Sequence, residues 1–297
     1  MEVVKITPRG YCYGVVDAMK LVRQVAENPA AKKPIFVLGL IVHNHHAVEE
    51  LDRYGVISLD GENRLELIEQ VKDGTVVFTA HGVSQEVRRR AEEIGLDVVD
   101  ATCPDVTKTH DLIRRLADDG YTILYIGRRG HPEPEGAMGE APDHVHLIET
   151  AKDAEGLDLD GRKLAVVTQT TLSRWDTEET ISHLRERFPQ IEVFNEICLA
   201  TQLRQEAAVR EASRCDVVIV VGDTRSNNSN RLVQVVREQA GRPAYLVDTV
   251  ADIDPAWLEG KQTVGVTAGS STPSPITREV VQFLEAYKAP ETATARG

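Results

Sequence analysis

Three of the four cysteines, Cys12, Cys103 and Cys198, occur in matching surroundings 91 and 95 residues apart. Each closes an apolar, β-branched run and opens a helix-like one: VVKITPRGYC leads into YGVVDAMKLV, LDVVDATC into PDVTKTHDLI, and IEVFNEIC into LATQLRQEAAV. Open parallel sheets carry their functional groups at strand ends. Three thiols on three strand ends therefore imply three similar modules converging on one thiolate-bound centre. Cys215, inside RCDVVIVVG, is expected to be a packed core thiol, because free cysteine behaves as a small hydrophobe. The absence of any CxxC pair excludes zinc ribbons, thioredoxin motifs and ferredoxin-type cysteine runs. Three thiolates fit either a zinc completed by a histidine or a cubane iron–sulfur cluster with one iron free of protein sulfur, and the ligands alone do not separate the two.

Six polar loops follow apolar runs and supply the remaining chemistry: VHNHH (42–46), AHGVS (80–84), GHPEPEG (130–136), TQTTLS (168–173), DTRSNNSNRL (223–232) and TAGSSTPS (267–274). Ser226, Asn227, Asn228 and Ser229 precede one helical segment, and Ser270 and Ser271 another. One such residue caps a helix, but four together exceed what a cap needs and fit an anion such as phosphate. No GxxxxGK[ST] or GxGxxG run is present, which disfavours a nucleotide-binding loop. His43 and His81 each follow a buried-looking run and can hydrogen-bond a phosphate; His45 and His46 extend the first cluster without a convincing metal-ligand spacing. His110, His144, His146 and His183 read as surface or helix-face residues. Glu133, held between Pro132 and Pro134 and two residues after His131, is the candidate proton-handling group, with Glu135 further along the loop. Thr170, in the partner loop, is placed to orient a substrate hydroxyl.

The elements that must position these groups are short, continuously apolar runs, as in strands covered on both faces: 35–42, 75–80, 121–127, 164–169, 217–222 and 263–269. Charged, helix-period segments such as SQEVRRRAEEIG, RWDTEETISHLRERF and SPITREVVQFLEAY separate them, which predicts an α/β protein of mostly parallel sheets. Modules are expected at 8–102, 103–197 and 198–288, with strand 1–7 completing the third and a disordered tail at 289–297. A chain of 297 residues holds two or three such cores. Its net charge of −13 argues against nucleic acid or an anionic membrane as partner. No apolar signal core opens it and no run reaches membrane-spanning length, so a cytoplasmic protein with reduced thiols is expected.

PRGYCYGV (8–15), VHN (42–44), TAHGVS (79–84), DATCPDVTK (100–108), GHPEPEG (130–136), TQTTLS (168–173), EICLATQLRQEA (196–207), SNNSNRL (226–232) and VTAGSS (266–271) together resemble the LytB/IspH family, in order and at the right spacing. The resemblance implies reduction of 4-hydroxy-3-methylbut-2-enyl diphosphate to isopentenyl and dimethylallyl diphosphate, the last step of the methylerythritol phosphate route. It also implies a pseudo-threefold trefoil around one [4Fe–4S] cluster per chain, held by Cys12, Cys103 and Cys198. His43, His81, Ser226, Asn228 and Ser271 match positions that hold the diphosphate. Thr170 and Glu133, with His131 beside them, match those around the terminal hydroxyl. Asn227 stands where many members carry a second serine, and Tyr13 where others have a small residue. A ferredoxin or flavodoxin is the implied electron donor. The rivals are a Cys₃–zinc metallohydrolase acting through Glu133 and a non-catalytic diphosphate-binding protein.

Overall fold

A computed structural model describes residues 1–287, so the expected disordered tail at 289–297 lies outside the described residues. The strands are β1 (Glu2–Lys5), β2 (Ile35–Leu38), β3 (Val56–Leu59), β4 (Thr75–Phe78), β5 (Asp97–Asp100), β6 (Thr122–Ile126), β7 (Val145–Ile148), β8 (Leu164–Thr168), β9 (Glu192–Phe194), β10 (Val217–Val221), β11 (Ala244–Val247) and β12 (Thr263–Ala268). The helices are α1 (Tyr13–Glu27), α2 (His45–Asp52), α3 (Arg64–Ile68), α4 (Gln85–Ile94), α5 (Pro104–Asp118), α6 (Pro132–Met138), α7 (Arg174–Arg187), α8 (Leu199–Ala212), α9 (Asn227–Ala240) and α10 (Ser274–Ala286). The strands form three all-parallel sheets of four, ordered β3-β2-β4-β5, β7-β6-β8-β9 and β11-β10-β12-β1. The α/β fold expected from the alternation is present.

Two compact units carry these sheets: Cys12–Gln202 holds the first two, and Met1–Tyr11 with Leu203 onward holds the third. In each sheet the second and third strands are sealed on both faces. All four residues of β4 and all five of β6, β8 and β10 are buried, and burial of each such Val, Ile or Leu contributes about 1.5–3 kcal/mol. Separate apolar clusters lie on the two faces of the third sheet, around Val218 and Val236 on one side and Val266 and Leu284 on the other. The same holds for the second sheet, with Ile123 and Tyr125 against Leu124 and Val166.

The sheet order sets the site. In each sheet the chain runs outward from the second strand to one edge, then crosses back to the third strand on its other side. The carboxyl ends of β2 and β4, β6 and β8, and β10 and β12 are therefore switch points, where open α/β sheets bind ligands. All six polar loops leave from these ends. The fourth strand of each sheet (β5, β9, and β1 in the third) leads into a cysteine.

Three details differ from expectation. The run 35–42 ends as a strand at Leu38, because Gly39 turns the backbone at φ +103° over the buried guanidinium of Arg64; a β-carbon there would lie 2.6 Å from that group. GHPEPEG is not a loop throughout: His131 caps the short helix α6, with Pro132 at its first position. Each sheet also has an edge strand, β3, β7 or β11, that sequence periodicity does not reveal.

Candidate active site

Cys12 and Cys103 occupy the N-cap positions of α1 and α5, where Ser or Asp would ordinarily receive a backbone N–H. Neither side chain caps its helix, so both thiols are left for another role. Cys198 immediately precedes α8 and its Sγ lies 3.2 Å from the Thr201 hydroxyl. Two backbone bonds tie the cysteines to switch-point loops: the Cys103 N–H donates to Ala80 O at 3.1 Å and the Cys198 N–H to Thr170 O at 3.0 Å. Gly14 keeps the first helix close to the second cysteine, since a β-carbon there would sit 2.5 Å from Cys103 Sγ. Burial pushes the Cys103 thiol up to about 12, against the Asp105 and Val106 backbone N–H groups, and the Cys198 thiol up to about 11, against Thr201; the charges of Asp105 and Cys12 add to both. A bound cation would reverse that shift and release the protons. Tyr13 donates its hydroxyl to Asp105, linking the starts of α1 and α5.

Histidines from three switch-point loops meet. The ring centroids of His43 and His81 are 4.5 Å apart, those of His43 and His131 5.0 Å, and those of His81 and His131 5.3 Å. One nitrogen from each lies within 4.8 Å of the others. His45 and His46 do not join them; they open α2 with their rings 3.9 Å apart. Burial holds His81 and His131 well below the ordinary histidine range, and the neighbouring His43 lowers both further. Buried Arg64 adds to this. His131 Nδ1 accepts the Glu133 N–H at 3.2 Å, which places the proton of a neutral ring on Nε2. Burial thus favours the neutral form of His81 and His131, and an anion among the three rings would favour charging those two.

Glu133 is only 2% exposed, and its Oε1 accepts the Thr170 N–H at 2.7 Å. Burial raises its carboxyl above the usual range; hydrogen bonds from Thr170 and the nearby His110 offset part of that. Glu133 and Thr170 belong to facing loops of one sheet, so the acid, the threonine and the backbone of Cys198 form a continuous path. Glu135 instead accepts the backbone N–H of Arg64 at 2.9 Å, a structural role at the start of α3.

The other unit gathers Ser226, Asn228 and Ser271. Ser226 caps α9, Ser271 Oγ donates to Ser226 Oγ at 3.3 Å, and Asn228 Oδ1 accepts the Ser270 N–H at 2.9 Å. Asn227 opens α9 and is buried with them. Every sequence-predicted site residue is therefore placed: Cys12, Cys103, Cys198, His43, His81, His131, Glu133 and Thr170 in one unit, and the Ser–Asn set in the other.

Sequence reasoning missed the residues that hold this arrangement. Gln169, fully buried, lies 3.1 Å from His131 Nδ1 through Nε2 and accepts the Arg128 N–H through Oε1 at 2.9 Å. Tyr125 lies beneath, and burial with the nearby Glu133 carboxyl pushes its phenol well up. His110 is on a helix face as expected, but that face is buried: its Nδ1 is 2.9 Å from Glu140 Oε1. Burial pushes the Glu140 carboxyl up, yet bonds from His110, Gln85 and Arg114 hold it at about 2. Gln169 sits in the TQTTLS motif and was legible in principle; the others pair across long sequence separations.

The family model described as "LytB protein" matches residues 3–285. A protein of Symbiobacterium thermophilum named 4-hydroxy-3-methylbut-2-enyl diphosphate reductase is 63% identical over 288 residues, covering 97% of this chain and 98% of its own. One of the same name from Halalkalibacterium halodurans is 57% identical, covering 99% of this chain and 94% of its own. Among solved structures, the E-1-hydroxy-2-methyl-but-2-enyl-4-diphosphate reductase of Plasmodium falciparum superposes with a TM-score of 0.89 at 33% identity, covering 98% of this chain and 94% of its own. With thiols after the edge strands, imidazoles and a buried acid at the switch points, a family model matching residues 3–285 and relatives this similar along nearly the whole length, the chain belongs to the LytB family.

Proposed function

We propose that this protein is an enzyme that reductively dehydroxylates 4-hydroxy-3-methylbut-2-enyl diphosphate. Two electrons and two protons would convert each substrate to water plus isopentenyl or dimethylallyl diphosphate, the closing step of the methylerythritol phosphate route. The relatives' names support the substrate. The observation that carries the reading is Glu133: a buried acid, raised by its burial, bonded to Thr170 and one backbone bond from Cys198.

Membership of the family implies an iron–sulfur cofactor. The residues fit one, since three partly buried thiols at uncapped or hydroxyl-supported helix starts, with Gly14 leaving room at Cys103, are donors of the right kind. Cys12, Cys103 and Cys198 would hold a single [4Fe–4S] cluster. When bound, it would supply the electrons and a Lewis-acidic iron without a protein thiolate.

The chain's own residues do the rest. His43 and His81 donate hydrogen bonds to the diphosphate, and the family resemblance assigns the same role to Ser226, Asn228 and Ser271, with Asn227 beside them in the sequence. Thr170 and His131 orient the terminal hydroxyl, and Glu133, whose burial favours its protonated form, gives the proton with which that oxygen leaves as water. Gln169 fixes the His131 ring. The burial of these groups excludes bulk water and strengthens each polar contact. Electrons come from a small carrier protein of the ferredoxin or flavodoxin class, in the cytoplasm; among the described residues no helix is long and apolar enough to cross a membrane.

The test is anaerobic purification with iron and sulfide analysis, visible absorption before and after dithionite, then an assay for the two products. Iron near four per chain, bleaching on reduction and both diphosphates support the reading. Stoichiometric zinc in a colourless protein, still iron-free after anaerobic reconstitution, overturns it in favour of a hydrolase.

A further inference from the structure

We propose that the unit formed by Met1–Tyr11 and Leu203 onward carries a second anion site, a cavity of about 480 Å³ that takes a diphosphate-bearing small molecule. Lys5, Arg9, Arg204, Arg278, Ser274 and Thr277 supply its polar lining, and none of them belongs to the site proposed above. Four cations around one hollow run against the composition of a chain with 47 acidic and 34 basic residues. Among the described residues no Asp or Glu lines the cavity. Its volume is in the range of small-molecule sites.

The cations are arranged, not merely nearby. Arg9 donates through Nη1 to Thr7 Oγ1 at 2.7 Å and Ile6 O at 3.3 Å. Arg204 is 4% exposed and donates through Nη2 to Gly10 O at 2.7 Å, so a buried guanidinium stands in the wall. Lys5 pairs with Glu285 at 2.8 Å, but both side chains are nearly half exposed, and an exposed pair of this kind is readily exchanged for a stronger anion.

Arg278 lies exposed at the fifth position of α10, a helix of 13 residues that no side chain caps, and whose positive end adds to the field. The independent observation is Thr277. It is 4% exposed, lines the cavity, and its buried hydroxyl has no hydrogen-bond partner among the described residues. Buried hydroxyls are ordinarily satisfied, and rotation about χ1 can offer this one to a ligand oxygen. Bidentate Arg, a Lys, hydroxyls and a helix start are the groups that recognise phosphate oxygens.

The segment 7–11 that lines the cavity runs directly into Cys12. An occupant bridging it to α8 and α10 would order the lead to the first thiol, which makes the cavity a place where a metabolite could influence cluster retention.

The test uses the cluster-loaded protein, anaerobic and without reductant, titrated calorimetrically with inorganic pyrophosphate. Two sites per chain are expected in the wild type. In a Lys5→Gln/Arg278→Ala double variant one of them should weaken about tenfold or more, with kcat and KM for the substrate unchanged. Isopentenyl diphosphate and ADP, titrated onto substrate-saturated protein, separate a prenyl from a nucleoside diphosphate as the natural ligand; a stronger response to either supports the site. A single site in both proteins overturns the proposal, as does loss of turnover in the double variant, which would merge the cavity with the first site. Pyrophosphate that fails to bind while electron transfer from an acidic carrier slows in the variant would also overturn it, reassigning the cations to protein docking.

Discussion

Glu133 and the imidazoles of His81 and His131 share one environment but are shifted by it in opposite senses, the acid toward holding its proton and the imidazoles toward losing theirs. A donor acid works only while protonated, so turnover should fall as pH rises through the raised Glu133 value. Glu133→Gln should slow kcat by about 10²–10⁴ and erase that limb, with pyrophosphate affinity little changed; an anaerobic pH–rate profile of both proteins checks this. His81 and His131 predict linkage of the other sign. An anion placed among depressed imidazoles raises their values, so the bound state holds more protons and affinity should strengthen as pH falls toward 6. Calorimetry in two buffers of different ionisation enthalpy should show proton uptake, reduced in His81→Asn. At this scale the reactive types were legible, because Cys, His and Glu stood in motifs. Their supports, Arg64 and the His110–Glu140 pair, were not, since each is created by packing between distant positions.

Elements explain why the thiols are available. Two cysteines stand at helix N-caps without capping, and Gly14 lets α1 approach the second. Replacing an exposed helical glycine by alanine ordinarily stabilises by about 0.5–1 kcal/mol. Gly14→Ala should instead press a methyl onto the Cys103 thiol and lower bound iron well below the wild-type content while far-ultraviolet circular dichroism stays the same. Full iron occupancy in that variant would show that the thiol is not confined there. The central strands were readable because they are apolar throughout, as strands covered on both faces must be. The edge strands VISL, VHLI and AYLV were not, being four residues long and partly exposed, with no continuous apolar run to mark them. Helix α6 was hidden by its prolines, which read as loop until His131 is seen to cap it.

Across the molecule, three strand-to-helix junctions are expected to depend on one bound group, although the sheets behind them have complete cores of their own. Removing iron by chelation should therefore loosen the junctions and spare the sheets. Hydrogen exchange should quicken around residues 10–16, 101–107 and 196–203, while β4, β6 and β10 stay protected; uniform acceleration throughout would mean that the cluster supports the whole fold. The third sheet has a further property. Its edge strand β1 pairs with β12, Glu2 beside Thr263. Translation at about 5–20 residues per second separates their appearance by tens of seconds. Throughout that interval the nascent chain offers an unpaired strand, whose charged ends, Glu2 and Lys5, limit its appetite for other edges. Strand β1 thus leaves the ribosome long before the strand it pairs with, and a stalled or truncated product would expose that vacancy to quality control.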